Sequence, residues 1–134
     1  MVLSRDITER KLADAQLRIA ATAFETHEGM FITDRAGVFL RVNQAFSDIT
    51  GYSASEALGK TPKLLSSGRH DAAFYAVMWA AIAAHGSWRG EIWNRRKNGE
   101  VFPEWLTITA VKDEQGMVTN YVCTLADILS LIHI

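Results

Sequence analysis

The sequence predicts an α+β domain built on one five-stranded antiparallel sheet. The five runs with strand character are residues 30–34, 38–42, 88–95, 101–111 and 117–128. Helical segments separate the second run from the third. Asn98 and Gly99 stand between the third and fourth runs, and an Asn-Gly pair favours an antiparallel hairpin because both central residues of its turn need φ > 0. This hairpin has large apolar groups on both faces, so we expect both faces to be covered.

Composition excludes several classes of protein. With 134 residues, 49% of them hydrophobic, the chain is long enough to bury a core. A formal net charge of −1 gives no electrostatic reason to bind nucleic acid or an anionic membrane. A lone cysteine, Cys123, excludes an intramolecular disulfide framework and fits a reducing compartment. No apolar run approaches a membrane span and no signal-peptide pattern is present, so we expect a soluble, cytoplasmic protein.

The first 22 residues read as a linker helix ahead of the domain. Asp6 and Glu9 have the spacing of a capping box, which predicts an amphipathic helix that ends near Phe24. Such a helix either covers the sheet of its own chain or pairs with its copy in a second chain, and the sequence leaves both alternatives open.

Two short helices are predicted after the first hairpin. Asn43 is positioned to cap a helix at residues 44–49. Ser53 and Glu56 form another capping box, and the helix that they open ends by Gly59.

A loop and a longer helix complete the middle of the chain. Residues 61–68 carry apolar side chains in a loop, which indicates that the loop lies over something buried. Asp71 is positioned to cap a helix that ends at His85, where Gly86 suits the left-handed position after a helix.

Short motifs in order along the chain resemble those of PAS domains. They are Ile32-Thr-Asp34 with Gly37, Val42-Asn43-Gln-Ala-Phe46, Thr50-Gly51-Tyr52, Leu58-Gly59-Lys60, Trp88-Arg-Gly-Glu91 and Asn94-Arg-Arg-Lys-Asn-Gly99. Residues 6–11 and Asp127 with Ile128 look like the signature that closes a PAS domain and begins a linker. The resemblance implies a PAS domain at residues 23–128 of a multidomain bacterial sensor with tandem PAS modules. Residues 129–134 fit no element and are interpreted as a tail, for which a cloning remnant is one origin.

The resemblance also implies a fold and a role. PAS domains have a sheet of spatial order 2-1-5-4-3, with short helices that enclose a pocket on one face. They sense redox state, light, oxygen or small ligands, or only dimerise and pass signals on. We therefore expect a sensory module that signals through dimer and linker helices to a histidine kinase or cyclic-di-GMP enzyme domain. The expected homodimer uses the N-terminal helix and the outer sheet face, which carries Trp93 and Trp105.

Similarity to light-sensing PAS domains points to a flavin site. In those domains two side-chain amides, at the positions of Asn94 and Glu104, address the polar edge of the isoalloxazine ring. Asn94 is retained, but an ionised Glu104 cannot donate to a flavin carbonyl. The photoactive cysteine falls at Pro62, which excludes adduct photochemistry, and the glutamine of the final strand falls near Leu125.

The redox-sensing FAD subgroup of PAS domains is a closer match. That resemblance places Trp79 near the ring and lets Asn94 bond to it, although Pro62 replaces a loop carboxylate. FAD is thus the cofactor that the resemblance suggests. The candidate cofactor-binding residues are Asn94, Trp79, Glu104, Ile92, Leu106 and Phe46.

Three of these candidates have an ordinary structural alternative. The alternatives are a core aromatic for Trp79, a strand-end amide for Asn94, and an arginine partner or a solvated side chain for Glu104. The alternative function is a cofactor-free module that only dimerises and transmits. In that case bulky side chains close the pocket, and the ones that would meet there are Phe46, Trp79, Leu106 and Ile108.

Metal, haem and enzyme chemistry find little support. His70 and His85 stand at the ends of the long helix, where histidines are mostly exposed, and no pair of side chains has zinc-like spacing. The basic run at residues 95–97 reads as a solvated hairpin tip. No catalytic motif is present, so we expect no metal and no enzymatic activity from these residues.

Overall fold

The computed structural model describes residue 24 and residues 27–131, with the side chains of residues 130 and 131 left out. The strands are β1 (Gly29–Asp34), β2 (Phe39–Val42), β3 (Ser87–Arg95), β4 (Val101–Lys112) and β5 (Val118–Asp127). The helices are α1 (Gln44–Thr50), α2 (Ala54–Ala57), α3 (Ala72–His85) and α4 (Ile128–Leu131), with a 3₁₀ helix at Pro62–Leu65. The strands form one sheet in the order β2-β1-β5-β4-β3, and every neighbouring pair is antiparallel. The predicted α+β class and sheet order are confirmed.

The helix caps follow the signals in the sequence. Asn43 Oδ1 accepts from the backbone N–H of Phe46 at 2.9 Å, and Asp71 Oδ1 accepts from that of Phe74 at 2.9 Å. Gly86 ends α3 with φ of 81°, a value that favours glycine because it has no Cβ. These caps fix the ends of the helices that lie over the sheet.

Three segments add to or differ from the expected pattern. Residues 62–65 of the predicted loop form a 3₁₀ turn that begins at a proline. Residues 128–131, expected to end the last strand and begin the tail, form a helical turn, and Asp127 Oδ1 accepts from the backbone N–H of Leu129 at 2.9 Å. The predicted helix at residues 6–24 lies outside the described residues except for Phe24, which is helical and buried.

One end of the core is an aromatic cluster. The rings of Phe31, Phe39 and Phe46 pack edge to face, with centroids 5.0 to 5.7 Å apart. Phe39 and Phe46 are almost fully buried. This cluster fills the space between α1 and the β1–β2 hairpin, so the rest of the same sheet face is left for other contacts.

A close approach between β1 and β5 continues the core. Gly29 lies opposite Leu125, and a Cβ at Gly29 would come within 2.7 Å of Leu125 Cδ1.

Within the described part of the chain, no helix combines the length and the apolar character that crossing a bilayer requires.

Candidate ligand-binding site

A cavity of about 800 Å³ lies between the inner face of the sheet and the helices. This volume falls in the range of about 300–1,000 Å³ that is usual for small-molecule sites. The sheet side is lined by Phe31, Thr33, Ile92, Asn94, Glu104, Leu106, Ile108, Tyr121, Cys123 and Leu125. The opposite side is lined by Ala36, Gly37, Thr61, Pro62, Lys63, Leu65, Ser66, Ala72, Tyr75, Met78 and Trp79. The walls are thus mainly apolar, with a few polar groups among them.

Strand alternation explains which side chains face the cavity. In β3 the lining residues are two apart, Ile92 and Asn94, because successive side chains point to opposite faces. The antiparallel register places Ile92 opposite Glu104 and Leu106 opposite Leu125. Polar and apolar groups from three strands therefore meet on one face.

Asn94 and Glu104 form the polar centre of this wall. Asn94 Nδ2 donates a hydrogen bond to Glu104 Oε1. Glu104 has no exposed surface and Asn94 only 8%. Glu104 Oε2 is buried and has no hydrogen-bond partner among the described residues. The alternative in which Glu104 reaches solvent is therefore wrong. The side chain of Asn94 bonds to the Glu104 carboxyl and does not act as a strand-end amide that bonds to backbone groups.

The surroundings of Glu104 favour its neutral form. Burial raises the pKa of Glu104 from 4.5 to about 7, although the hydrogen bond from Asn94 opposes this shift. The charge of Asp127 also raises the pKa of Glu104, whereas that of Arg96 lowers it. Near neutral pH a large fraction of Glu104 is a carboxylic acid, which can donate a hydrogen bond as a side-chain amide does. The sequence-based objection to this residue in a flavin site applies only to its ionised form.

Trp79 lies at the opening of the cavity. Its side chain lines the cavity, yet the residue is 47% exposed. Its ring packs edge to face on Tyr121, with centroids 5.3 Å apart. The alternative in which Trp79 is a core aromatic is wrong, because α3 holds the residue at the rim rather than under the sheet.

The structure brings together five of the six candidate residues. Ile92 and Leu106 line the same cavity as Asn94, Glu104 and Trp79.

Phe46, the sixth candidate, is not among the cavity-lining residues, because its ring is enclosed by Phe31 and Phe39.

The sequence analysis did not include three residues that line the cavity, Tyr75, Tyr121 and Cys123. Alternation along β5 was the signal that places Tyr121 and Cys123 on the face of Leu125.

The loop before α3 is tied to the outer strand next to Asn94. Ser67 Oγ donates to the carbonyl of Trp93 at 2.6 Å, and the backbone N–H of Trp93 donates to His70 Nε2 at 2.9 Å. Ser66 forms an isolated bridge with Asn94 itself. The expectation that His70 is an exposed helix-end residue is wrong, since it is half-buried and stacks on Phe74 with centroids 3.9 Å apart. These bonds hold one wall of the cavity against β3.

The prediction that the basic run forms a solvated hairpin tip is wrong for Arg96. Its side chain is 17% exposed, and Nη2 lies 2.6 Å from Asp127 Oδ2. Nη1 donates to the carbonyl of Ile49 at 2.6 Å, and the guanidinium lies 3.8 Å from the ring centroid of Phe102. Arg96 therefore joins the β3–β4 turn to α1 and to the end of β5.

No group of three His, Cys, Asp or Glu side chains suited to a metal ion occurs among the residues that the structure describes.

The sheet order and the cavity under the short helices define a pocket-bearing α+β domain of the PAS type. The profile of the PAS domain family matches residues 27–130, and the chain belongs to this family.

Relatives of known description include a regulatory protein and a histidine kinase. The chain is 30% identical over 122 residues to a nitrogen fixation regulatory protein of Klebsiella oxytoca, covering 82% of this chain and 25% of the relative. It is 34% identical over 86 residues to a blue-light-activated histidine kinase of Brucella anthropi, covering 64% of this chain and 18% of the relative. The chain thus spans a quarter or less of the length of these relatives.

Solved structures share the fold. A PAS domain from Colwellia psychrerythraea superimposes with a TM-score of 0.77 at 21% identity, over 83% of this chain and 95% of that one. The LOV domain of the Erythrobacter litoralis EL346 blue-light activated histidine kinase gives 0.67 at 25% identity, over 75% of this chain and 94% of that one.

Proposed function

We propose that this PAS domain is a sensory module that binds a flavin, FAD, in its cavity and signals to other domains of its protein. The residue Glu104 carries the proposal, because it lines the cavity and its Oε2 is buried without a hydrogen-bond partner among the described residues. A buried polar atom without a partner costs about 1–3 kcal/mol. A ligand that brings a polar edge to this atom removes that cost, and a ligand with a flat aromatic body suits the apolar walls.

The residues present fit a flavin. Ile92, Leu106 and Leu125 provide apolar surface, and Trp79 provides an aromatic ring at the opening. The Asn94–Glu104 pair stands where the light-sensing PAS domains that the sequence resembles use two amides. When bound, a flavin supplies redox chemistry. Because Pro62 stands in place of the photoactive cysteine, the proposal is redox or ligand sensing and not adduct photochemistry.

The alternative is a cofactor-free module that only dimerises and transmits. That alternative needs bulky side chains to converge and close the pocket. Phe46 is instead held in the aromatic cluster, Trp79 lies at the rim, and a cavity of about 800 Å³ is open between the sheet and the helices. The open cavity favours ligand binding.

We infer the setting of the module from its relatives. The relatives include a regulatory protein and a histidine kinase, each much longer than this chain. We therefore place the domain beside an output domain, a histidine kinase or a cyclic-di-GMP enzyme, in a homodimeric protein without catalysis of its own in these residues. Cys123 is a buried free thiol, which fits a cytoplasmic location.

Titration of the purified protein with FAD, followed by flavin absorbance and fluorescence, tests the proposal. We expect one FAD per chain, and at least tenfold weaker binding in Asn94→Ala and in Trp79→Ala. Val77→Ala is the matched control, because Val77 lies on the same helix as Trp79, is 67% exposed and does not line the cavity. No binding by the wild type, or equal weakening in all three variants, would overturn the proposal.

A further inference from the structure

We propose that the cavity binds its flavin together with one proton, which Glu104 takes from solvent and uses to donate a hydrogen bond from Oε2 to an acceptor atom of the ligand. This inference rests on the proposed function. It adds that ligand occupancy of the pocket depends on pH through one named carboxyl. Glu104 thereby determines which edge of a ligand the pocket accepts.

The first support is geometric. Glu104 has no exposed surface, and Asn94 Nδ2 already occupies Oε1. Oε2 is the oxygen that is left without a partner, and the residue lines the cavity. Because Oε2 has no accessible surface in the free protein, a molecule in the cavity supplies the missing hydrogen bond once the Glu104 side chain turns toward it. An acceptor atom of that molecule bonds only to the protonated carboxyl, since an ionised carboxylate has no hydrogen to donate.

The second support is the set of charges around Glu104. Asp127 lies directly opposite Glu104 in the β4–β5 register, and its negative charge disfavours a second carboxylate. Arg96 follows β3 and is the nearby cation, but its guanidinium is bonded to Asp127 and Glu100. The charge of Arg96 is thus shared with two other carboxylates, and an ionised Glu104 would lack a counterion of its own.

The remaining ionisable groups of the cavity do not supply that counterion. A phenol group carries no positive charge, so Tyr75 on α3 and Tyr121 on β5 cannot act as a counterion. Burial raises the pKa of the Cys123 thiol to about 12, so this group stays neutral. Lys63 is exposed on the opposite wall.

Binding through the protonated carboxyl of Glu104 sets the sign and size of the pH dependence of FAD affinity. If only the protonated form binds, the apparent Kd rises with the ionised fraction of Glu104. With a pKa of about 7 in the free protein, FAD binding weakens roughly tenfold between pH 6 and pH 8. Below pH 6 the affinity levels off, because almost all of Glu104 is already protonated.

Dissociation constants of FAD at pH 6, 7 and 8 test this, with the wild type compared with Glu104→Gln and Glu114→Gln. Glutamine keeps a donor at this position at every pH, so we expect Glu104→Gln to bind FAD with the low-pH affinity of the wild type and without pH dependence. Glu114 is exposed in the β4–β5 turn and does not line the cavity, so its variant should keep the wild-type profile. A flat wild-type profile overturns the inference, and so does the same slope in Glu104→Gln. Tighter binding at high pH also overturns it, because the ligand would then donate to a carboxylate.

Calorimetry of the wild type alone keeps the inference testable if Glu104→Gln does not fold. Titrations with FAD in buffers of different ionisation enthalpy give the number of protons taken up. We expect about half a proton per FAD at pH 7 and nearly one at pH 8, since these are the ionised fractions of a group with a pKa of about 7. Binding without proton uptake overturns the inference and leaves the flavin proposal standing. Absence of FAD binding at every pH overturns the flavin proposal itself.

Discussion

Arg96 and Asp127 form an ion pair, with Nη2 and Oδ2 2.6 Å apart, that joins the β3–β4 turn to the last residue of β5. Both side chains are less than one-fifth exposed, at 17% and 14%. Asp127 is also the register partner of Glu104, so the point where the chain leaves the sheet is adjacent to the polar wall of the cavity. A change in the charge of Glu104 therefore changes its electrostatic interaction with Asp127, the residue that precedes α4.

Removing the charge of Asp127 should destabilise the domain. We expect Asp127→Asn to lower the free energy of unfolding by about 2 kcal/mol, because it leaves a mostly buried guanidinium without one of its two carboxylate partners. Asparagine keeps a side-chain oxygen for the backbone N–H of Leu129, so the loss reports the ion pair. Urea unfolding measures the change. Glu100→Gln, at an exposed partner of the same arginine, should cost less than about 0.5 kcal/mol, and equal losses in the two variants would contradict this account.

The stability of the folded domain should depend on pH through Glu104. Its pKa is about 7 in the folded protein against 4.5 for an ordinary glutamate, so the folded state holds a proton that the unfolded chain releases. The contribution is present in full below pH 4.5 and is lost as the pH rises through 7. Relative to Glu104→Gln, the wild type should lose about 3 kcal/mol of unfolding free energy between these limits. Urea unfolding at pH 4.5 and pH 8 checks this, and a difference between the two proteins that does not change with pH would contradict it.

Phe46 should act on stability and not on the ligand. Its ring is fully buried between Phe31 and Phe39, so Phe46→Ala should cost about 4 kcal/mol of unfolding free energy. The milder Phe46→Leu should fold and bind FAD with the wild-type Kd. Trp79→Ala should show the reverse pattern, with weak binding and a loss of only about 1 kcal/mol, because Trp79 is 47% exposed. Weaker FAD binding by Phe46→Leu at unchanged stability would place Phe46 in the site after all.

The outer face of the sheet should form the dimer contact together with residues 1–22. Trp105 is 42% exposed on the face opposite the cavity, and Arg69 lies over the neighbouring Trp93 ring at 4.2 Å. An exposed tryptophan on a sheet face favours contact with another surface. We expect the whole chain to be a dimer in gel filtration with light scattering, and a variant without residues 1–22 to be a folded monomer. A truncated protein that stays folded and dimeric would show that these residues do not mediate the contact.

The sheet and its helix ends were predictable from the sequence because their signals are local. The Asn98-Gly99 turn, the caps at Asn43 and Asp71, and the alternation in β3 and β4 each depend on residues a few positions apart. The bonding of Arg96 and His70 was not predictable, because their partners, Asp127 and Trp93, are 31 and 23 residues away.

Five of the six candidate site residues line the cavity as predicted, whereas the chemistry of the site was not predictable. The resemblance to flavin-binding PAS domains paired Asn94 with Glu104, but their direct hydrogen bond and the burial that favours a neutral Glu104 depend on packing across three strands. Phe46 was misplaced for a similar reason, since sequence alone does not show that Phe31 and Phe39 enclose its ring.

The visible absorption spectrum of the freshly purified protein, before and after addition of FAD, tests the central claim most directly. We predict flavin bands at close to one FAD per chain, retained on gel filtration and lost in Asn94→Ala or Trp79→Ala. A colourless wild-type protein that does not take up FAD at any pH would contradict it, and the cavity would then belong to a colourless ligand or to a module that only transmits.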